Sequence, residues 1–257
     1  MLRTKTKQAG FTLVELAIVI VIIGLIVGGV LVGQDMIKAA ELRAAIGQIE
    51  KLDTAVNVFR NKYNGIPGDL ANPANFGFTA PSAAATKQGN GVLDAALQQL
   101  DEEPGLFFAH LSSANLIPDS ISRTTAQVTS TTMTTTLSSY VPVSKLGKGI
   151  MLIAQSTGGV NHYMLDNASL AASGALTYNH SAMSPMIAYN VDSKFDDGNP
   201  TTGKVMAVDD LTTAASSTAH AGANSGSCVD STAVTYQTST QAIGDKAACT
   251  IRIRASF

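Results

Sequence analysis

The hydropathy of this chain changes character along its length, and each change predicts an element. From Leu16 to Gly33 no side chain is charged or strongly polar. A helix needs about 20 such residues to cross a hydrocarbon core, so this run predicts a membrane-length helix. Beyond Gln34 the pattern turns amphipathic. Leu42, Ile46, Ile49, Leu52, Val56, Phe59 and Tyr63 recur at steps of three and four, while Glu41, Arg43, Glu50, Lys51, Asp53, Arg60 and Lys62 fall on other faces. That stripe predicts a packing face for the chain's own body. Phe11 to Asn64 then reads as one helix of roughly 80 Å. It is expected to stop within Tyr63–Leu70, with Gly65 as its cap and Pro67 unable to continue it.

The remainder reads as short elements. Leu93–Leu100 and Leu106–Leu116 predict two helices, separated by Asp101-Glu102-Glu103-Pro104-Gly105. Gly149–Ala154, His162–Leu165, Met186–Val191, Lys204–Val208 and Ala248–Arg254 predict strands. In the last of these, Ile251 and Ile253 alternate with Thr250, Arg252 and Arg254, which predicts one wet face. Ser120–Ser139 is rich in Thr and Ser and reads as a solvated loop or polar-faced strands. The amphipathic half of the helix needs an apolar cover. The fold class is therefore α+β: a long N-terminal helix packed against an antiparallel sheet.

Charge sharpens this picture. Arg3, Lys5 and Lys7 precede the apolar run with no acid among them. They leave 14 of the 17 basic residues against 19 acidic ones, a formal charge of −5 beyond the leader. Bulk charge does not suggest a nucleic-acid partner. The basic leader keeps Met1–Gly10 cytoplasmic and exports the chain beyond Gln34. Val32-Gly33-Gln34 is a poor small-residue cleavage site, so the run reads as an anchor that stays. Export predicts an oxidising compartment, and there Cys228 and Cys249 are expected to pair rather than remain two buried thiols. Their bridge would close a loop of roughly 20 residues, worth about 3 kcal/mol in the chain-entropy model.

Candidate chemistry is sparse. Gly198–Lys204 has the glycine and lysine spacing of a phosphate-binding loop. Val205 stands where magnesium would need a hydroxyl, however, and a strand is expected where a helix should follow. His110, His162, His180 and His220 are scattered singly, and His110 beside Phe107, Phe108 and Leu111 reads as a hydrogen-bonded packing residue. No nucleophile elbow or zinc-protease motif is present. One residue is costly where it stands. Glu15, at the start of the apolar run, asks for a partner.

Gly10-Phe11-Thr12-Leu13-Val14-Glu15, between a basic leader and an apolar run, resembles the processing motif of type IV prepilins and type II secretion pseudopilins. The resemblance implies that prepilin peptidase cuts after Gly10 and that Phe11, the new N-terminus, is methylated. Glu15 becomes the fifth mature residue. In a filament core a neighbour's ammonium at Phe11 would offset the several kcal/mol cost of burying Glu15 and set the register between subunits. Phe59–Asp69, Asn90-Gly91, Ala109–Ile117, Val141–Leu146 and Asp192–Gly203 resemble one subgroup of such proteins in order along the chain. The helix lacks the family's mid-helix Pro, and Gly24, Gly28, Gly29 and Gly33 supply its weak points instead.

The implied organisation is a leader at 1–10, an assembly half of the helix at 11–33, its amphipathic half at 34–64, and a body at 65–257. The implied partners are like subunits, prepilin peptidase, the inner-membrane assembly platform and the inner membrane itself. The destination would be a surface pilus or a periplasmic pseudopilus. Some pseudopilins bind calcium in a C-terminal loop, which makes Asp192, Asp196 and Asp197 candidate ligands; the EF-hand spacing is absent, and acids beside Gly and Pro also make solvated turns. A structural, non-enzymatic subunit is expected. The alternatives are a minor or tip subunit that binds a ligand and, third, a membrane-tethered enzyme.

Overall fold

The computed structural model describes residues 12–81, 88–94, 102–121, 137–147, 149–170, 176–178, 182–208, 228–229, 235–236, 238 and 249–257. Helix α1 runs Leu13–Tyr63. The chain divides into two units, Met1–Glu41 and Leu42–Phe257. In the first, the apolar side chains of α1 from Leu13 to Ile37 are exposed. An 18-residue window there has a mean hydropathy of 3.1 with none of it covered, long and apolar enough to cross a membrane.

In the second unit the amphipathic stripe does what its spacing predicts. Ile49, Leu52, Val56 and Phe59 are buried in one core with the sheet, and Leu42 and Tyr63 pack at its edge. The helix stops differently from expectation. Asn64, not Gly65, takes the left-handed conformation after the last turn, at φ 54°, and its N–H donates to the Arg60 carbonyl at 2.9 Å. Asn tolerates that conformation because its short polar side chain bonds locally. Gly65 serves packing instead: a Cβ there would stand 2.7 Å from a Leu70 methyl.

Helix α2 spans Glu103–Ser113, starting inside the segment expected to separate two helices. Pro104 lies in its first turn, where a missing N–H costs nothing. Leu93 and Asp94 are irregular rather than helical, and 95–100, the rest of that expected helix, lies outside the described residues. Of the Ser120–Ser139 segment, 122–136 lies outside them as well. Helix α3, Pro185–Phe195, replaces an expected strand. Its apolar residues Met186, Ile187, Ala188 and Val191 read locally as a buried run. Pro185 at the helix start and burial of Ala188, Val191 and Asp192 at steps of three and one show a helical face instead.

The sheet has the order β1-β2-β6-β5, with β1 Met151–Thr157, β2 Val160–Asp166, β5 Val205–Val208 and β6 Thr250–Arg254, each neighbour antiparallel. Gly158 and Gly159, at φ 61° and 77°, close the β1–β2 hairpin between the paired residues Thr157 and Val160. Two positive φ values in a two-residue loop match the right-handed twist of the strands. A small hairpin, β3 Ala168–Leu170 with β4 Leu176–Tyr178, adds to the expected elements. The last strand has less wet face than its alternation predicts: Thr250 and Arg252 are buried, and only Arg254 is exposed.

Cys228 and Cys249 form a disulfide. It secures β6, since Cys249 exchanges hydrogen bonds with Met183 ahead of α3. Replacing both cysteines by serine is expected to cost about 3 kcal/mol, read as a lower Tm of the detergent-solubilised chain. An unchanged Tm would show that the bridge constrains nothing.

Candidate assembly site

At the start of α1, Thr12 precedes the first helical turn and Glu15 lies in it. The Glu15 N–H donates to Thr12 Oγ1 at 3.3 Å, while Thr12 N–H and Oγ1 donate to Glu15 Oε2 at 2.8 and 2.7 Å. This reciprocal capping box satisfies helix N–H groups that have no partner within the helix. Glu15 is exposed, and among the described residues no donor reaches its Oε1. The carboxylate is therefore oriented by one oxygen and keeps the other open to a further donor. Gly10 and Phe11 lie outside the described residues. Thr12 as the partner of Glu15 is the residue the linear reading misses, although Thr12-Leu13-Val14-Glu15 before an apolar run is a capping-box signature.

The other candidates belong to the body. An oxygen from each of Asp192, Asp196 and Asp197 lies within 4.8 Å of the others, so the structure does bring this set together. Each carboxylate already accepts hydrogen bonds. Asp192, fully buried, takes Tyr236 Oη at 2.8 Å and Gly198 N–H at 3.1 Å. Asp197 takes Asn199 N–H and Thr202 Oγ1, both at 2.8 Å, and Asp196 takes the Lys204 N–H. Burial raises Asp192 to about 6, whereas the amide of Asn199 and the Thr202 hydroxyl hold Asp197 low. These donors organise the turn that leads into β5. Strand β5 at Val205, directly after Lys204, also removes the helix that a phosphate-binding loop requires.

His110 is a packing residue. It is buried, accepts from Gly68 N–H at Nδ1 at 2.9 Å and faces the Thr79 carbonyl through Nε2 at 2.9 Å. The first bond places the ring proton on Nε2, which then donates to Thr79.

A buried acidic cluster has no counterpart among the sequence expectations. Glu103 is fully buried at the start of α2, and its Oε2 accepts from Asp94 N–H at 2.8 Å. Its Oε1 has no partner among the described residues. Burial first, and then the charge of Asp69, push its carboxyl up to about 7. The folded state thus binds the proton more tightly than the unfolded chain. The stabilisation is full below pH 4.5 and lost as pH rises through 7. His162 opposes it. Burial and Arg252 lower His162 to about 4, so its contribution grows as pH rises from 4 to 6.5. Glu103→Gln removes only the first of these. The Tm difference between variant and wild type is expected to widen in the variant's favour from pH 4.5 to pH 8. A difference independent of pH would contradict the assignment.

Residues 5–31 match the family model described as the prokaryotic N-terminal methylation motif, the signature of type IV prepilins and pseudopilins. No curated protein and no solved structure matches the chain. The motif supports a type IV pilin- or pseudopilin-like subunit, and with the apolar helix it fits an inner-membrane-anchored precursor.

Proposed function

We propose that this chain is a structural subunit of a type IV pilus or pseudopilus. Prepilin peptidase cuts it after Gly10 and methylates Phe11, and the subunit polymerises through α1 with Glu15 paired to the Phe11 amine of a neighbour. The observation that carries this reading is the methylation motif at residues 5–31, continuous with a helix whose apolar first half is exposed among the described residues. A lone apolar helix of that length needs lipid before assembly and other copies of itself afterwards. The open Oε1 of Glu15 supports the pairing, because a capped carboxylate can keep its helix bonds while it receives an ammonium.

In this reading residues 1–10 are the leader, 11–33 the assembly half of the helix, 34–64 its amphipathic half and 65–257 the exported body. The carboxylates of Asp192 and Asp197 accept hydrogen bonds that shape the turn after α3, and His110 serves the core. The test is to shear cells and identify the chain in the released filaments. Its recovery there as a main component supports the proposal. Its retention in the membrane under conditions that yield filaments of other subunits would contradict it.

A further inference from the structure

Among the described residues, the amphipathic half of α1 leaves one flank open. A groove of about 710 Å³ runs along it, with Val58 on the helix facing Leu116, Ile117 and Pro142. Gln48 holds the far wall in place, donating to the Val143 carbonyl at 3.0 Å and accepting from Lys145 N–H at 2.9 Å. Arg43, Lys51 and Lys145 also line the groove, against one acid among the described residues, Asp119. None of the three cations makes an ion pair among the described residues, and all three are exposed. The floor is thus apolar and the rim positive, on a chain whose formal charge beyond the leader is negative.

A surface of opposite character lies on α3. Met186 and Tyr189, one helical turn apart, are 43% and 42% exposed. Beside them the turn after α3 carries the exposed carboxylates of Asp196 and Asp197. The Tyr189 ring lies close against Gly198 of that turn, where a Cβ would stand 3.2 Å from it. Apolar contact area on α3 and negative charge on the turn after it are therefore adjacent, while α3 itself carries one exposed cation, Lys194. Hydrogen bonds from Asn199 N–H and Thr202 Oγ1 fix the Asp197 carboxylate in position.

We propose that the α3 face of one copy docks in the α1 groove of the next, Met186 and Tyr189 against the apolar floor and Asp196 and Asp197 against the basic rim. The inference rests on the filament reading and adds a contact between bodies to the one between helices. A second copy is the occupant because the complement to the groove, in both polarity and charge, is on the same chain. The two surfaces share no residue, and a contact made once per pair is heterologous, leaving a free groove on one copy and a free α3 face on the other. Such contacts propagate into open filaments, whereas a groove-to-groove contact would set cations against cations and end at a dimer.

The test uses the full-length chain in cells that assemble it. Val58→Cys and Met186→Cys are introduced together and singly, and filaments are treated with a short thiol-reactive crosslinker. The double variant is expected to give a ladder of dimers, trimers and higher species, and each single variant only monomers. A monomeric double variant in intact filaments overturns the contact, as do dimers from Val58→Cys alone or a crosslinked band of another mass. Independently, Lys51→Glu with Lys145→Glu is expected to lower filament yield at least tenfold with insertion and processing unchanged, and wild-type yield overturns the contact. If wild-type chain itself is never found in filaments, the filament reading fails, and the contact falls with it.

Discussion

Replacing Glu15 by valine is expected to cut filament yield by at least tenfold while membrane insertion and leader cleavage proceed as in wild type. Valine suits the apolar run, and the anchor keeps its length and hydropathy. What changes is the partner at the interface. In the proposed filament, a neighbour's Phe11 ammonium, brought into a core of packed apolar helices, then has no carboxylate to meet. Leaving one member of a buried ion pair alone costs about 3–5 kcal/mol, and each 1.4 kcal/mol is a factor of ten in an equilibrium. The variant also loses the Thr12 capping box, whose two donors point at Glu15 Oε2. That loss costs about 1 kcal/mol of helix start, too little to account for a tenfold effect on its own when the helix is held in lipid or in a filament. Glu15→Gln separates the two roles: the amide oxygen can keep the cap, while the charge for the ammonium is gone. It is expected to assemble nearly as poorly as Glu15→Val. Wild-type yield from Glu15→Gln would show that the cap, not the pairing, is what Glu15 supplies.

A large effect on the folded body from a single substitution is expected from Gly68→Ala. Gly68 has φ 87°, a conformation that L side chains rarely adopt, and a Cβ there would stand 2.3 Å from the Glu103 carbonyl oxygen. The obstruction is backbone of α2, so no side-chain rotation relieves it. Gly68 also sits where three segments converge. Its N–H donates to His110 Nδ1 in α2, and its neighbour Asp69 accepts from the N–H groups of Gly89 and Gly91. Positive φ costs a non-glycine residue roughly 1–2 kcal/mol, and a forced backbone shift about 1–3 more. The expected loss is roughly 3 kcal/mol, or on the order of 10 °C in Tm for a body of this size. A Tm within a degree or two of wild type would mean that the α1–α2 junction is looser than the packing at Gly68 implies.

Much of this is legible in the sequence because it depends on periodicity. The anchor, the stripe from Leu42 to Tyr63 and the strands at β1, β2, β5 and β6 each present enough residues in register for the pattern to speak. The pairing of Cys228 with Cys249 agrees with the compartment that the anchor implies. The departures are local contests. In α3 an apolar run of strand length competes with Pro185, which marks a helix start, and the helix wins. At the end of α1 Gly65 is the stronger sequence signal for a cap, whereas Asn64 makes the left-handed turn. Gly158-Gly159 is a two-residue hairpin signal whose meaning depends on the flanking strands being paired. The Glu103 cluster has no linear signature, because Asp69, Asp94 and Glu103 are brought together by tertiary packing and share no spacing. Of the candidate assembly site, Glu15 stands out because charge is rare in apolar runs. Thr12 does not, because a hydroxyl there looks ordinary until its bonds to Glu15 are seen.

The most direct measurement is the intact mass of the subunit recovered from sheared filaments, with its N-terminal peptide sequenced by fragmentation. The expected result is a chain that begins at Phe11, carries one additional methyl group on its amine, and retains the Cys228–Cys249 bridge. A filament-borne chain that still contains residues 1–10, or that begins beyond Glu15, would contradict it.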